Sequence, residues 1–293
     1  MKKIKFFAIG LAIALIAGVA IFYACSKDKE ETVNNLATHE ATVEEKDYEV
    51  QIEDLIATTG IDIYKLSELK EVKKVVDKQI QMRNTLIAME NATEKGALTD
   101  EKAAQIKNIA QSIQTEYNKG NYAKVYTLYE SLCAICKTID GFIPGINEYG
   151  LQTFTYDINK EPVQLPITYM ETEKASTIAF VGAIQASTPQ FVTLSPPVQT
   201  QVMAATIYVG VQRSMIGAKV QYMTCRERAK KDYDGDMALI KAAYIAAMAG
   251  CGVSTLAVAP CAIIATGVMI YASVGARETY GYRVKLCDLQ GYY

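Results

Sequence analysis

The chain predicts a mainly α protein: a helical bundle with a small β-hairpin insertion and a C-terminal antiparallel helical hairpin stapled by disulfides. Three observations carry this expectation. Long stretches after residue 60 space their apolar residues three and four apart, the period of an amphipathic helix. One stretch beginning LQTFTYDI alternates with period two instead. The last four cysteines, Cys225, Cys251, Cys261 and Cys287, fall symmetrically about Leu256, with spacings of 26, 10 and 26 residues.

The helical periodicity is clearest in the first half. From Ile63 to Asn91, the residues Leu66, Leu69, Val72, Val76, Ile80 and Ile87 line one face, and Gly96 marks the end. Asp100 is placed to cap a second helix, on which Ala103, Ile106, Ala110, Ile113 and Tyr117 share a face. Asn118-Lys119-Gly120-Asn121 makes a turn, and a third helix runs through Tyr122, Val125, Tyr129, Leu132 and Cys136. The bend TEYNKGNYAKVYTLYE looks faintly like one unit of the tetratricopeptide family, which stacks several units into peptide-binding grooves. No second copy occurs at the required period, so ordinary helix–turn–helix packing is expected.

The pattern then changes. Phe154, Tyr156 and Ile158 alternate with Thr153, Thr155 and Asp157. Past the turn residues Asn159-Lys160-Glu161-Pro162, the residues Val163, Leu165, Ile167 and Tyr169 alternate again. This reads as a β-hairpin, with Pro166 confining its second strand to an edge. Helix resumes over roughly 173–186. Another helix starts at Ser195-Pro196-Pro197, a serine cap with proline in the first turn. It is expected to continue through Cys225 towards the hairpin tip, with a kink near Gly235.

Two antiparallel helices folded at Leu256 bring Cys251 level with Cys261 and Cys225 level with Cys287, on arms about 39 Å long. Gly250, Gly252 and Pro260 stand where helices stop and restart, and the same register sets Glu227 beside Lys285. The expected bridges are therefore Cys225–Cys287 and Cys251–Cys261. Cys133-Ala-Ile-Cys136 has CxxC spacing, but near the end of a predicted helix with no strand before it. Redox pairs of this type sit at a helix N-terminus, where the first thiol is activated. A structural disulfide, or two core thiols, is the expectation here; a thiol-disulfide oxidoreductase is the alternative.

The N-terminus supplies the location. Lys2, Lys3 and Lys5 precede an apolar run from Phe6 to Tyr23, and Ala24 stands directly before Cys25: the layout of a secretory signal peptide over residues 1–24. This ending resembles the lipobox of bacterial lipoprotein precursors, with Phe22 where Leu is usual and Tyr23 where a small residue is usual. The resemblance implies that Cys25 is diacylated, by fatty chains such as palmitate, and becomes the mature N-terminus. The acid-rich SKDKEE that follows resembles the export signal of Bacteroidetes-type surface lipoproteins. Together they imply an outer-membrane lipoprotein, surface-exposed or periplasm-facing. The expected organisation is a lipidated tether over 25–46, an N-terminal helical region over 47–140, a β-hairpin and linker over 141–172, and a C-terminal helical region over 173–293.

Several functions are disfavoured. Net charge is −2, with 30 basic against 32 acidic residues, so no basic excess exists to hold nucleic acid. The one histidine, His39, lies in the tether, so neither a Ser–His–Asp triad nor a histidine-rich zinc site can be built. Asp232-Tyr-Asp234-Gly-Asp236 invites a calcium reading, but Met237 and Ala243 stand where such a loop needs glycine and glutamate; capping and solvated charge are expected. Residues 242–276 carry no ionised side chain over 35 positions. In composition alone this resembles the hydrophobic hairpin of colicin-type pore-forming toxins; burial in a soluble core is expected, with membrane insertion as the alternative. Of the 19 tyrosines, Tyr280, Tyr282, Tyr292 and Tyr293 cluster most densely, without the spacing of a glycan platform. The expected protein is a non-catalytic binding or structural module. It has no cofactor and no metal, and it meets the membrane through its lipid anchor. Any protein or glycan partner is unspecified.

Overall fold

The computed structural model describes residues 48–89, 98–139, 168–215, 224–250 and 255–289. Among them the chain forms α1 (Tyr48–Thr59), α2 (Ile63–Leu66), α3 (Lys70–Met89), α4 (Asp100–Asn118), α5 (Tyr122–Lys137), α6 (Thr168–Ser187), a 3-10 turn (Pro189–Thr193), α7 (Pro196–Met215), α8 (Cys225–Gly250) and α9 (Thr255–Leu289). The mainly helical class stands.

The β-hairpin insertion is not supported. Among the described residues there is no strand, and Thr168 and Tyr169 belong to α6; the rest of the alternating stretch lies outside the described residues. Tyr169 sits only four residues from the buried Glu173, so helical spacing accounts for it as well as alternation does.

Local chemistry explains the element boundaries. The single helix expected from Ile63 is divided: Asp62 caps the short α2 by accepting the Lys65 N–H at 2.9 Å, and Ser67 closes it before α3 begins. At α4 the capping residue is Thr99, whose Oγ1 accepts the Lys102 N–H at 3.2 Å. Asp100 and Glu101 then sit in the first turn, where carboxylates complement the helix dipole. The α4–α5 turn needs Gly120 at φ 74°, a conformation side chains resist. Glu116 pins that turn by accepting from Lys119 and from the Asn121 amide, each at 3.0 Å.

The helix from Pro196 does not run through Cys225. A new helix, α8, starts there because Thr224-Cys-Arg-Glu227 forms a reciprocal capping box. The Glu227 carboxylate accepts the Thr224 N–H at 2.7 Å, and Thr224 Oγ1 accepts the Glu227 N–H at 3.2 Å. The carboxyl is held below its usual range by this bonding to Thr224. Gly235 lies within α8, which is continuous through it.

Packing gives two hydrophobic cores that share α8. The first is built by α4, α5, α8 and α9, with Ile106, Ile113, Tyr129, Leu132, Met248, Ile263 and Ile270 at its centre. The second is built by α1, α2, α3, α6 and α7, with Ile63, Val72, Phe180, Phe191 and Ile207. One face of α8 (Ala229, Tyr233, Met237, Ile240, Tyr244) enters the first core; Ala238, Ala242 and Ile245 enter the second. Each core draws helices from both halves of the chain. Two mid-helix glycines mark close approaches: a Cβ on Gly210 would stand 2.5 Å from the Val76 side chain, and one on Gly235 would stand 2.3 Å from the Tyr48 ring.

Candidate functional site: a disulfide clasp and a polar seam

Cys225 and Cys287 are joined, with Cα atoms 5.7 Å apart across 62 residues of chain. They tie the start of α8 to the end of α9. Arg226 and Asp288 beside the bridge form an ion pair at 2.6 Å, and further along Asp232 pairs with Arg283. From Arg226–Asp288 to Asp232–Arg283 the contacts step up α8 while stepping down α9, as an antiparallel pair requires. The expected neighbour of Lys285, Glu227, is instead engaged in the capping box. Cys261 also belongs to a disulfide. Cys251, its expected partner, lies outside the described residues, as do Cys25 and His39.

Cys133 and Cys136 are free thiols, both buried in the first core: of the two expected arrangements, a structural disulfide or two core thiols, the structure has the second, and their grouping with the bridged cysteines does not hold. The reason is geometric. Side chains three apart on a continuous helix have Cβ atoms about 5–6 Å apart, whereas a disulfide holds them at about 3.5–4.5 Å. Burial pushes the Cys133 thiol up to about 12, against a hydrogen bond with Tyr129, and pushes Cys136 well above its usual value. The thiolate is the nucleophile in thiol chemistry, so these sulfurs act as small core hydrophobes.

The acidic run at 232–236 gathers helices. Asp232 pairs with Arg283 of α9. Asp234 accepts from Arg83 Nε of α3 at 3.0 Å and from Gln212 of α7 at 3.2 Å. Asp236 accepts from the Tyr48 hydroxyl of α1 at 2.9 Å. Three carboxylates thus reach four different helices, and no cluster able to hold a metal ion occurs among the described residues. Gly235 fits this arrangement: the space its missing side chain leaves holds the ring that delivers the Tyr48 hydroxyl.

Two turns further along α8 lies a polar group that sequence reasoning did not anticipate. Glu173 of α6, nearly fully buried, accepts from Lys241 of α8 at 2.9 Å and from Lys78 of α3. Lys241 also rests over the Tyr244 ring, 4.7 Å from its centre. Burial alone would raise the Glu173 carboxyl, but Lys241 and Lys78 outweigh it and hold the group below its ordinary value. Asp234 and Lys241 are seven residues apart on one stripe of α8. Together with Arg83, Gln212, Lys78 and Glu173 they form a polar seam where α3, α6, α7 and α8 meet.

The two ends of the seam respond oppositely to pH. Burial pushes the Asp234 carboxyl up to about 6, against Arg83 and Gln212. A carboxyl raised on folding binds its proton more tightly in the native state. Its contribution therefore falls as pH rises from about 4 to about 6, by about 3 kcal/mol. Glu173, lowered on folding, contributes above the ordinary carboxylate range and loses that contribution as the solution is acidified through its native value. Asp234→Asn removes the first effect. Urea unfolding at a series of pH values should show the variant gaining stability, relative to the parent chain, as pH rises from 4 to 6.

Among the described residues one helical stretch, Cys261–Leu289, is long and apolar enough to cross a membrane, and 67% of its most apolar window is buried inside the protein. It packs against α8, α4 and α5. Three of its charged residues pair with other helices: Glu278 with Lys107, Arg283 with Asp232 and Asp288 with Arg226. Tyr280 is buried against Tyr233, ring centres 5.7 Å apart, while Tyr282 is exposed; Tyr292 and Tyr293 lie outside the described residues. Comparison with protein-family models, with curated proteins and with solved structures returned no match for this chain.

Proposed function

We propose that the protein is a membrane-anchored lipoprotein of the cell envelope, acting as a non-catalytic binding or structural module. It is held to the outer membrane through acylated Cys25 and faces either the surface or the periplasm. The observation that carries this reading is the Cys225–Cys287 bridge. Disulfides persist in oxidising compartments, and this one follows an N-terminal stretch that resembles an exported lipoprotein precursor. Two further features favour a module. The buried charged groups join helix to helix, and the CxxC thiols are protonated core residues rather than redox centres.

Cys25→Ala tests the reading. Acyl labelling should disappear, the precursor should remain uncleaved, and the protein should no longer fractionate as a lipid-anchored species. Normal maturation with unchanged membrane association would overturn it. A second reading, a membrane-active hairpin, draws on the length and apolarity of Cys261–Leu289. Release of dye from liposomes in the presence of reductant would favour it. The module reading expects no release, because inserting α9 would break its ion pairs to Lys107 and Asp232 and expose the first core.

A further inference from the structure

Of the 12 residues of α1 only Ile52 is buried; Leu55 and Ile56 lie half-buried at the edge of the second core. Glu49 meets Lys231 of α8 at 2.9 Å, and Glu53 accepts the Tyr64 hydroxyl at 2.8 Å. Both contacts lie at the surface, where such pairs contribute little. Past Gly60 the chain is held far more firmly. Ile61, Ile63 and Leu66 are no more than 2% exposed, and Asp62 caps α2. Gly60 itself has φ 67°, in the left-handed region that glycine enters freely, and no described atom lies within 4 Å of its Cβ position. It is a joint between a lightly held helix and a deeply held one.

What fastens α1 is Tyr48. Its ring lies across Gly235 of α8, so close that a Cβ there would stand 2.3 Å from it. Glycine weakens a helix interior, and here the notch it leaves is filled by a ring from another helix. The Tyr48 hydroxyl donates to Asp236 Oδ1 at 2.9 Å, and the ring faces Tyr208 of α7 with centres 5.2 Å apart. With that ring in place Tyr208 is 3% exposed. Plug and notch are thus matched to each other, while the rest of α1 adds little burial. An element with few buried apolar contacts opens at less free energy than the core it lies on.

We propose that α1 is a strap that opens as a unit about Gly60 while both cores stay folded, with Tyr48 seated at Gly235 as its fastening. Opening withdraws the ring from the notch, breaks the Tyr48–Asp236 and Glu49–Lys231 contacts, and uncovers Tyr208. Its use follows from where the tether joins the fold. With Cys25 as a lipid anchor, the reading on which this consequence alone rests, α1 is the first element between membrane and module. A pull along the tether then bears first on Tyr48. An open strap adds at least about 18 Å to the reach of the module, the length of a 12-residue helix.

Hydrogen exchange of the full chain in mild detergent, over a series of low urea concentrations, tests the strap. Amides 53–60 should exchange through an opening that needs less free energy, and responds less to urea, than the opening of α7 and α8. The acylated chain and Cys25→Ala should behave alike. Tyr48→Ala should speed exchange of these amides by about tenfold or more, and Gly235→Ala should match it by displacing the ring, with α5 protected as before. Tyr48→Phe, which keeps the ring and loses the hydroxyl, should fall between. Nitration by tetranitromethane gives a second readout: in Tyr48→Ala, Tyr208 should be modified faster, while Tyr129 and Tyr244, sealed in the first core, stay unmodified. Opening in a chain that carries no acyl group would uphold the strap while removing the lipid-anchor reading. Exchange of α1 in step with α8 in the parent chain, unchanged α1 protection in Gly235→Ala, or nitration of Tyr129 along with Tyr208 would each overturn the proposal.

Discussion

Glu173→Ala is expected to destabilise the protein by about 3–5 kcal/mol, the range for removing one partner of a buried ion pair. The substitution strands Lys241, whose side chain is 11% exposed, among core residues with its nearest carboxylate gone. Lys78, 30% exposed, can turn its amine to water and loses less. Since native domains hold only about 5–15 kcal/mol in total, a loss of this size should be plain in urea unfolding. The double variant Glu173→Leu with Lys241→Met removes both buried charges and fills their space with apolar groups. It should recover most of the loss, because the cost of the single change is the uncompensated charge rather than the absent attraction. If the double variant is as unstable as the single one, the seam is held by packing that leucine and methionine cannot reproduce.

Opening the clasp should have an effect of similar size. A bridge spanning 62 residues restricts the unfolded chain by about 4 kcal/mol in the loop-entropy account. Cys225→Ser combined with Cys287→Ser is therefore expected to lower the urea midpoint, and reductant should bring the parent chain towards the same value. The α8–α9 pairing itself should survive, since Arg226–Asp288, Asp232–Arg283 and the first core still hold the two helices. Loss of helical content in the unbridged variant would show that the bridge forms the hairpin rather than securing it.

The contrast between clasp and seam shows what sequence can carry. Cys225 and Cys287 were legible although far apart, because antiparallel helices turn level positions into a symmetric spacing that can be read along the chain. The face Ala103, Ile106, Ala110 and Ile113 was legible because the helical period writes burial into local spacing. Glu173, Lys78 and Lys241 follow no such rule. They are 95 and 68 residues apart, and a buried charge looks like a solvated one until its partners are known. The same holds for the aspartates at 232–236, each of which answers to a different helix. The start of α8 could have been found, since Thr224-x-x-Glu227 is a local capping signal. The alternation around Tyr169 misled because a few apolar residues fit either period when the run is short.

The most direct test of the account is non-reducing peptide mapping of the protein taken from the membrane fraction, with free thiols alkylated before unfolding. A lipoprotein module with an oxidised clasp and a reduced core should yield Cys225 linked to Cys287 and an acylated N-terminal peptide beginning at Cys25. Cys133 and Cys136 should be unlinked and should take the alkylating reagent only after denaturation. A bridge between Cys133 and Cys136, with Cys225 and Cys287 alkylated in the native protein, would contradict both the location and the role argued for this chain.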